Sequence, residues 1–566
     1  GETWIVGSEH NITWTKNGSI DFVKLEYSTD GGGTYPYTIA PSVDASLGFY
    51  LWTIPEVISD TVKVKITDTS DGTVFDESAS DFFIKGALRL TSPNGTEEWV
   101  VGTAESITWE RAGPIQNVKL EYSTNSGVTF PYLIVASTDA STGTYGWDIP
   151  DAISNTVRVR VSDANDSSVY DVSDEDFTIK GALTLNTPNG GEILYVGDSY
   201  AITWTRTGSI PTVKLEYSTN GGTNYDYLIV SSTDADTEPL GDDIGTYSWT
   251  VPDAIGEQLR VKVTDTSNDT VFDTSDTNFT IKGKLKLNSP NGGETWIVDT
   301  IQAITWTPTG TMPTVKLEYS TDGGNTYPYL ITDSASGGSY DWTIPDAIDN
   351  DLKVRVSDTR DPSVNDESDA VFEIKGSLKV LTPNGGEQWG VGETHNITWE
   401  KHGSISTLTI KYSTDGGQNY LNTITTTADA ATGSFAWEIP DDLSKTCKIK
   451  IINNADTSVS DTSDTNFKIV GILTLTSPNG DERWGVGTNH NITWTKVGSI
   501  ANVRLDYSTD SGQSFPYTIV SSTPAGALSF TWTIPDAVSS SCRVRISDAS
   551  DIEVYDTSDN DFTIHA

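Results

Sequence analysis

The chain has little cysteine, methionine, histidine or basic charge, and each shortage narrows what it can be. Its 566 residues include two cysteines, one methionine and five histidines. Cys447 (KTCKIK) and Cys542 (SSCRVR) share one repeat position, which other copies fill with Val62, Val157 or Leu352. One thiol per copy leaves no disulfide partner within reach, so both read as small buried hydrophobes. Neither HExxH nor GxSxG occurs, and no cysteine has an activating base beside it. Lys and Arg number 35 against 79 Asp and Glu, a formal net charge of −44. So acidic a surface repels nucleic acid and anionic membranes, and favours solubility or a cation-rich medium. No apolar run could span a membrane directly, and no secretory signal opens the chain. The sequence opens partway through a repeat, which leaves an upstream leader or anchor open.

What is present is repetition. YSTDGGGTY from Tyr27 returns as YSTNSGVTF (Tyr122), YSTNGGTNY (Tyr217), YSTDGGNTY (Tyr319), YSTDGGQNY (Tyr412) and YSTDSGQSF (Tyr507). Successive starts lie 95, 95, 102, 93 and 95 residues apart, a period of immunoglobulin-domain size. The expected domains are 1–85, 86–180, 181–282, 283–375, 376–470 and 471–566. Each joint falls at a glycine (Gly86, Gly181, Gly283, Gly376, Gly471) with one apolar strand ending before it and another beginning after it. No Pro/Ser-rich linker intervenes, so a stiff rod is expected rather than beads on a string.

Within a copy the apolar residues alternate, as in Val23-Lys24-Leu25-Glu26-Tyr27 and Val62-Lys63-Val64-Lys65-Ile66. Strands with one face on a core and one on water read this way. Turn signals divide them: Pro-Asn-Gly at Asn94, Asn189, Asn291, Asn384 and Asn479, and Ile-Pro-Asp or a near variant at Pro55, Pro150, Pro252, Pro345, Pro440 and Pro535. Seven or eight short strands per copy, with no helical period, predict an all-β fold: six tandem immunoglobulin- or fibronectin-III-like antiparallel β-sandwiches. The 17 tryptophans occupy three repeat positions, Trp4, Trp14 and Trp52 in the first copy, and only Leu194 departs from the pattern. The two later positions are expected in the core and the first nearer an edge.

The combination PNGGExW-x-VG, NITW, VKLEYSTDGG, WTIPD, VRVSD and DxSDxxFTI resembles the Kre/Knh-type cell-wall domain, also called the Ser-Thr-rich GPI-anchored protein domain. The resemblance covers all six copies. It implies an immunoglobulin-like fold and a secreted or surface-exposed protein, and it carries no catalytic residues. The fungal members usually have one such domain with a Ser/Thr-rich tail, whereas this chain has six copies in tandem and no such tail.

Ser28-x-Asp30-x-Gly32-x-Thr34 also resembles the Asp-box of propeller glycosidases. Its spacing here is about twice that of a propeller blade, and Asn125 and Asn220 replace the acid in two copies. It is expected to be a hairpin turn. His10, His395 and His490 share a repeat position; His402 and His565 stand alone. A repeated sandwich offers no single cleft for an acid pair, so no enzyme is expected.

The richest constellation is the acidic loop near the end of each copy. Acids fall at offsets 0, 3 and 8: Asp68, Asp71 and Asp76; Asp163, Asp166 and Asp171; Asp358, Asp361 and Asp366; Asp548, Asp551 and Asp556. Asn268 and Asn453 replace one acid each in repeats 3 and 5. Two readings stand. The carboxylates form Asx and Ser turns, or they hold Ca²⁺, which wants six to eight oxygen ligands. No cofactor is required. Repeat 3 carries an acidic insertion with Asp234, Asp236, Glu238, Asp242 and Asp243, a contact site or a tolerated loop. Asn11, Asn396 and Asn491 stand in Asn-Ile-Thr sequons.

These features point to a non-catalytic extracellular or cell-surface structural protein, part of a fibre, sheath, stalk or adhesin. Its partners would be itself, head to tail or laterally, or other surface proteins. The alternatives are a glycan-binding array, using aromatics such as Tyr35 and Tyr37, or an ancillary region of a larger secreted protein. Repeat 1 has no counterpart to Leu88-Arg89-Leu90-Thr91-Ser92-Pro93-Asn94. Its sandwich is expected to show an unpaired edge and an apolar groove, filled by residues ahead of Gly1 or by a strand from another chain.

Overall fold

The computed structural model describes residues 1–237 and 241–566; Glu238 of the acidic insertion lies outside them. The chain divides into two compact units, Gly1–Gly283 and Lys284–Ala566, which hold repeats 1–3 and 4–6.

Repeat 2 shows the common plan. Its opening strand Ala87–Ser92 pairs with Ala104–Ala112, which pairs with Thr144–Asp148, making a three-stranded sheet. The facing sheet runs Glu98–Val100, Phe177–Lys180, Ser154–Asp163, Asn117–Ser123, Tyr132–Asp139, with Tyr170–Val172 added beside Ser154–Asp163. The alternation in Asn117–Ser123 has the predicted consequence: Val118, Leu120 and Tyr122 are buried, and Lys119 is half-buried on the other face. Repeats 3 to 6 repeat this order.

Two details depart from a purely antiparallel sandwich of seven or eight strands. Glu98–Val100 and Tyr170–Val172 are three-residue strands too short to show a period. The first of them pairs parallel with the closing strand, Trp99 opposite Ile179. That ladder draws the first-position tryptophan inward. Trp99, Trp296, Trp389 and Trp484 are buried, and Leu194 is buried in the same place in repeat 3. Trp99 meets Trp147 edge-on at 6.0 Å and Phe177 at 5.0 Å. The position does lie at an edge, as expected, since Glu98–Val100 is the outermost strand of its sheet, yet the side chain is buried because the three-residue ladder turns it between the sheets.

Each of repeats 2 to 6 has one continuous core; repeat 1 has two. Its sheet of Glu9–Thr13 and Phe49–Thr53 is two-stranded. Trp14 and Ile12 are half-buried there, whereas Trp109 and Ile107 of repeat 2 are enclosed.

Cys447 and Cys542 are free and fully buried, and burial pushes both thiols up. They pack as the valines and leucines of the other copies do.

Candidate functional site: the acidic loops and the joints

The carboxylates of the acidic loops have separate partners. At offset 0, Asp68 accepts from Ser70 N and Oγ at 2.8 and 2.7 Å, Asp163 from Asn165 N at 2.9 Å, and Asp548 from Ser550 N at 2.8 Å. Asp358 accepts from Arg360 N at 2.9 Å and pairs with its guanidinium at 3.2 Å. At offset 3, Asp71 accepts from Thr73, Asp166 from Ser168 and Asp361 from Ser363, in each case from backbone N and hydroxyl. These are Asx turns closed by the residue two places on. The hydroxyls of Ser70 and Thr73 hold Asp68 and Asp71 below the usual carboxylate range.

Offset 8 behaves differently. Asp171, Asp366 and Asp556 reach across to the opposite sheet and accept from the opening strand, from Leu90 N, Leu287 N and Leu475 N, each at 2.7 Å. Asp76 accepts from its own neighbour, Glu77 N. Among the described residues no three His, Cys, Asp or Glu side chains converge as metal ligands would.

The sequence did not reveal that the acidic loops also close joints. In the first unit, Lys85, which ends repeat 1, donates to Asp166 at 2.7 Å and to Ser168 at 2.6 Å. In the second unit, Lys375 donates to Ser458 at 2.9 Å and lies 3.5 Å from Asp456. Lys468 likewise pairs with Asp551 at 3.2 Å and with Glu553. Burial works to raise the Asp551 carboxyl, and Lys468 and Lys445 outweigh it, leaving it lowered. Repeat 3 has Asn268 at offset 3, and there Lys180 turns back to Glu98 of its own repeat at 2.5 Å. A clue lay in the sequence: a lysine recurs one residue before the joint glycine, and repeat 5 moves it two places, from Val470 to Lys468, onto the same strand face.

A second kind of contact fixes three joints, including the one between repeats 2 and 3 that has no Lys–Asp pair of this type. Ser209 N donates to Asp151 at 2.9 Å, Ser404 N to Asp346 at 2.9 Å, and Ser499 N to Asp441 at 2.7 Å. These aspartates are the last residue of Ile-Pro-Asp in the preceding copy. The joint glycines are tight: a Cβ on Gly181 would lie 2.6 Å from Thr207 O, and one on Gly376 would lie 2.6 Å from His402 O.

The remaining candidates take structural places. Ser28 Oγ donates to Asp30 at 2.6 Å, and Thr34 N donates to the same carboxylate at 2.9 Å, which closes the Asp-box hairpin. Asn125 serves identically, accepting from Thr129 N at 3.1 Å. His10, His395 and His490 stack on Trp4, Trp389 and Trp484 at 4.5 to 4.7 Å, a pairing that followed from no motif. In the repeat-3 insertion Asp236 and Asp243 both bind Arg206, at 2.8 and 3.2 Å. Tyr37 and Tyr132 stack on Tyr27 and Tyr122 at 4.7 and 4.8 Å, each leaving one face outward. Tyr35 lies instead over Gly32, with Lys65 5.2 Å from its ring.

No protein-family model matches the chain, and no curated protein matches it. Solved structures similar to it include tandem arrays of Ig domains. The N-terminal eight Ig domains of Down Syndrome Cell Adhesion Molecule are 11% identical, with a TM-score of 0.22, over 100% of this chain and 84% of that one. Sidekick-1 immunoglobulin domains 1–5 are 11% identical, with a TM-score of 0.19, over 85% of this chain and 99% of that one. Escherichia coli alpha-2-macroglobulin activated by porcine elastase is 10% identical, with a TM-score of 0.14, over 85% and 53%.

Proposed function

We propose that the chain is a non-catalytic extracellular protein whose immunoglobulin-like repeats serve as a structural element of a surface fibre, sheath, stalk or adhesin. The joint carries this reading. Within each unit, one-residue connections, capped serines and Lys–Asp pairs hold neighbouring sandwiches without a linker. The carboxylates of the acidic loops are engaged in turns and joints. The resemblance to Kre/Knh-type wall domains supports a cell-surface setting, and the acidity supports a solvated one. Its partners are other surface proteins or further copies of itself. Immunogold electron microscopy of the native cells tests this: label on surface-associated material is expected, and label confined to the cytoplasm would refute it.

A second reading has its own observation. Tyr132, stacked on Tyr122, is 46% exposed and borders a cleft of about 490 Å³ between the edges of the two sheets. The same cleft recurs in repeat 6, at Tyr507 and Tyr517, with about 620 Å³. Repeated aromatic faces suit sugar rings, and a glycan microarray separates the readings, since a structural repeat protein binds none specifically.

A further inference from the structure

Two departures from the common repeat pattern meet at one joint. The turn after the first three-residue strand holds glycine in five copies, Gly7, Gly102, Gly197, Gly392 and Gly487, with φ between 77° and 82°. The fourth copy has Asp299 there, with φ 67°. An L side chain is disfavoured in this left-handed region, Asp and Asn least so. Crowding is not what selects the glycines, since a Cβ on Gly7, Gly102 or Gly487 would meet nothing within 4 Å. Backbone conformation selects them, and repeat 4 alone sets that preference aside. A residue held in a disfavoured conformation points to something gained elsewhere.

What Asp299 gains lies in the next repeat. Its carboxylate is 3.0 Å from Nδ1 of His402, and His402 is itself a departure: the other copies have Asn17, Ala112, Thr207, Thr309 or Val497 in that place. The same two positions face each other at the joint of repeats 5 and 6, where a Cβ on Gly392 would lie 3.9 Å from Val497 Cγ1. Nothing in that pair can titrate. Around His402, Nε2 lies 3.8 Å from Glu400 on its own strand. The opening strand Ser377–Thr382 sets Ser377 opposite His402 and Lys379 opposite Glu400. Lys401 turns to Gly403 O at 2.8 Å, and Asp346 of repeat 4 accepts from Ser404 N at 2.9 Å. Each ring nitrogen of His402 thus faces a carboxylate. The other histidines bond or stack within their own repeats: His10, His395 and His490 on tryptophans, His565 against Ala566 O. Repeats 2, 3 and 4 contain no histidine.

We propose that Asp299 and His402 form a proton-operated clasp between repeats 4 and 5, which tightens as the medium passes from slightly alkaline to mildly acidic. An imidazole ordinarily takes up its second ring proton near pH 6.5, whereas carboxylates ordinarily stay ionised there. In the neutral ring one nitrogen donates and the other accepts; in the imidazolium both donate and the ring carries charge. The contact with Asp299 then becomes charge-assisted, and Glu400 adds a second attraction at Nε2. Because the assembled joint favours the protonated ring, the clasp's contribution is present at low pH and is lost as pH rises through the imidazole's titration. That is opposite in sign to the Lys85–Asp166 pair of the first joint, which an acid medium weakens. The inference concerns one joint and stands whether or not the protein acts at a cell surface.

The test is amide hydrogen exchange on the whole chain at about pH 7.5, 6.5 and 5.5, corrected for the intrinsic pH dependence of exchange. Ser404 N–H, bonded to Asp346 across the joint, is the reporter. Ser209 N–H, which makes the same bond to Asp151 between two repeats without histidine, is the control. Protection at Ser404 is expected to rise roughly two- to fivefold relative to Ser209 between pH 7.5 and 5.5 at low salt. One molar salt should remove most of that rise. Asp299→Gly restores the residue of the other copies, and His402→Val the residue of repeat 6; both should fold and show no rise. His402→Gln keeps a donor that does not titrate, so its protection should stay flat at the level of the parent chain at pH 7.5. A flat response in the parent chain overturns the proposal. So does a fall in protection on acidification, or a rise that survives Asp299→Gly or His402→Val.

Discussion

The ammonium of Lys85, on the last strand of repeat 1, donates a 2.7 Å hydrogen bond to Asp166 in the acidic loop of repeat 2. A loop whose carboxylates read as turn formers or cation ligands is therefore also half of a joint. Lys85, with Ser168 second, holds the Asp166 carboxyl down at about 2, below its ordinary 3.8. A carboxyl lowered on folding stabilises above its unfolded value, so this contribution is complete above about pH 5 and is lost as pH falls from about 4 to 2.

A double-mutant cycle of Lys85→Ala and Asp166→Ala should give a coupling of roughly 0.5–1 kcal/mol, since both side chains are partly exposed. One molar salt should remove most of it. Hydrogen exchange at Gly86 to Leu88 reads the coupling locally. A value near zero at low salt would mean that the pair does not hold the joint.

Replacing a joint glycine should cost more than replacing a charge. Gly181→Ala places a methyl 2.6 Å from Thr207 O and 2.8 Å from Ile210 Cδ1. Overpacking of this kind costs about 1–3 kcal/mol. Gly72→Ala, with nothing within 4 Å, is the control and should be near neutral. Denaturant unfolding followed by hydrogen exchange in repeats 2 and 3 checks both.

The Asp-box turns should differ in acid according to which residue they carry. Ser28 first, and Thr34 after it, hold Asp30 at about 2; the corresponding bonds hold Asp322 and Asp510 at about 2. These lowered carboxylates support their turns above about pH 4 and stop doing so as pH falls through about 2. Asn125 and Asn220 make the same backbone bonds without titrating. Amide exchange at Thr34, Thr326 and Ser514 should therefore accelerate between pH 4 and 2 relative to Thr129 and Asn224. Equal acceleration at all five would refute the assignment.

Calcium provides a fourth test. The carboxylates of Asp68, Asp71 and Asp166 are committed to neighbouring donors. Millimolar Ca²⁺ is accordingly expected to move the melting temperature by less than about 1 °C. A rise of several degrees that a chelator reverses, and that Asp71→Ala and Asp166→Ala abolish in their own repeats, would place the ion in these loops.

The strands were legible because their signal is local. Alternation in Val118 to Tyr122 selects one buried face from sequence alone. The Asp-box was legible for a related reason: Ser28, Asp30 and Thr34 bond within seven residues, so the motif contains its own geometry. The burial of Trp99 was not, because a three-residue strand has no period and its parallel partner, Phe177–Lys180, lies some eighty residues away.

The sequence by itself determined the six-fold period, the sandwich strands and the buried cysteines, since each depends on residue type and spacing along one stretch of chain. Tertiary structure alone decided what the acidic side chains do. Asp68, Asp166 and Asp171 look alike in sequence, yet one closes its own turn, one grips the lysine of the preceding repeat, and one crosses to the opposite sheet. A carboxylate's role follows from which donors lie within about 3 Å, and chain packing, not composition, brings those donors there.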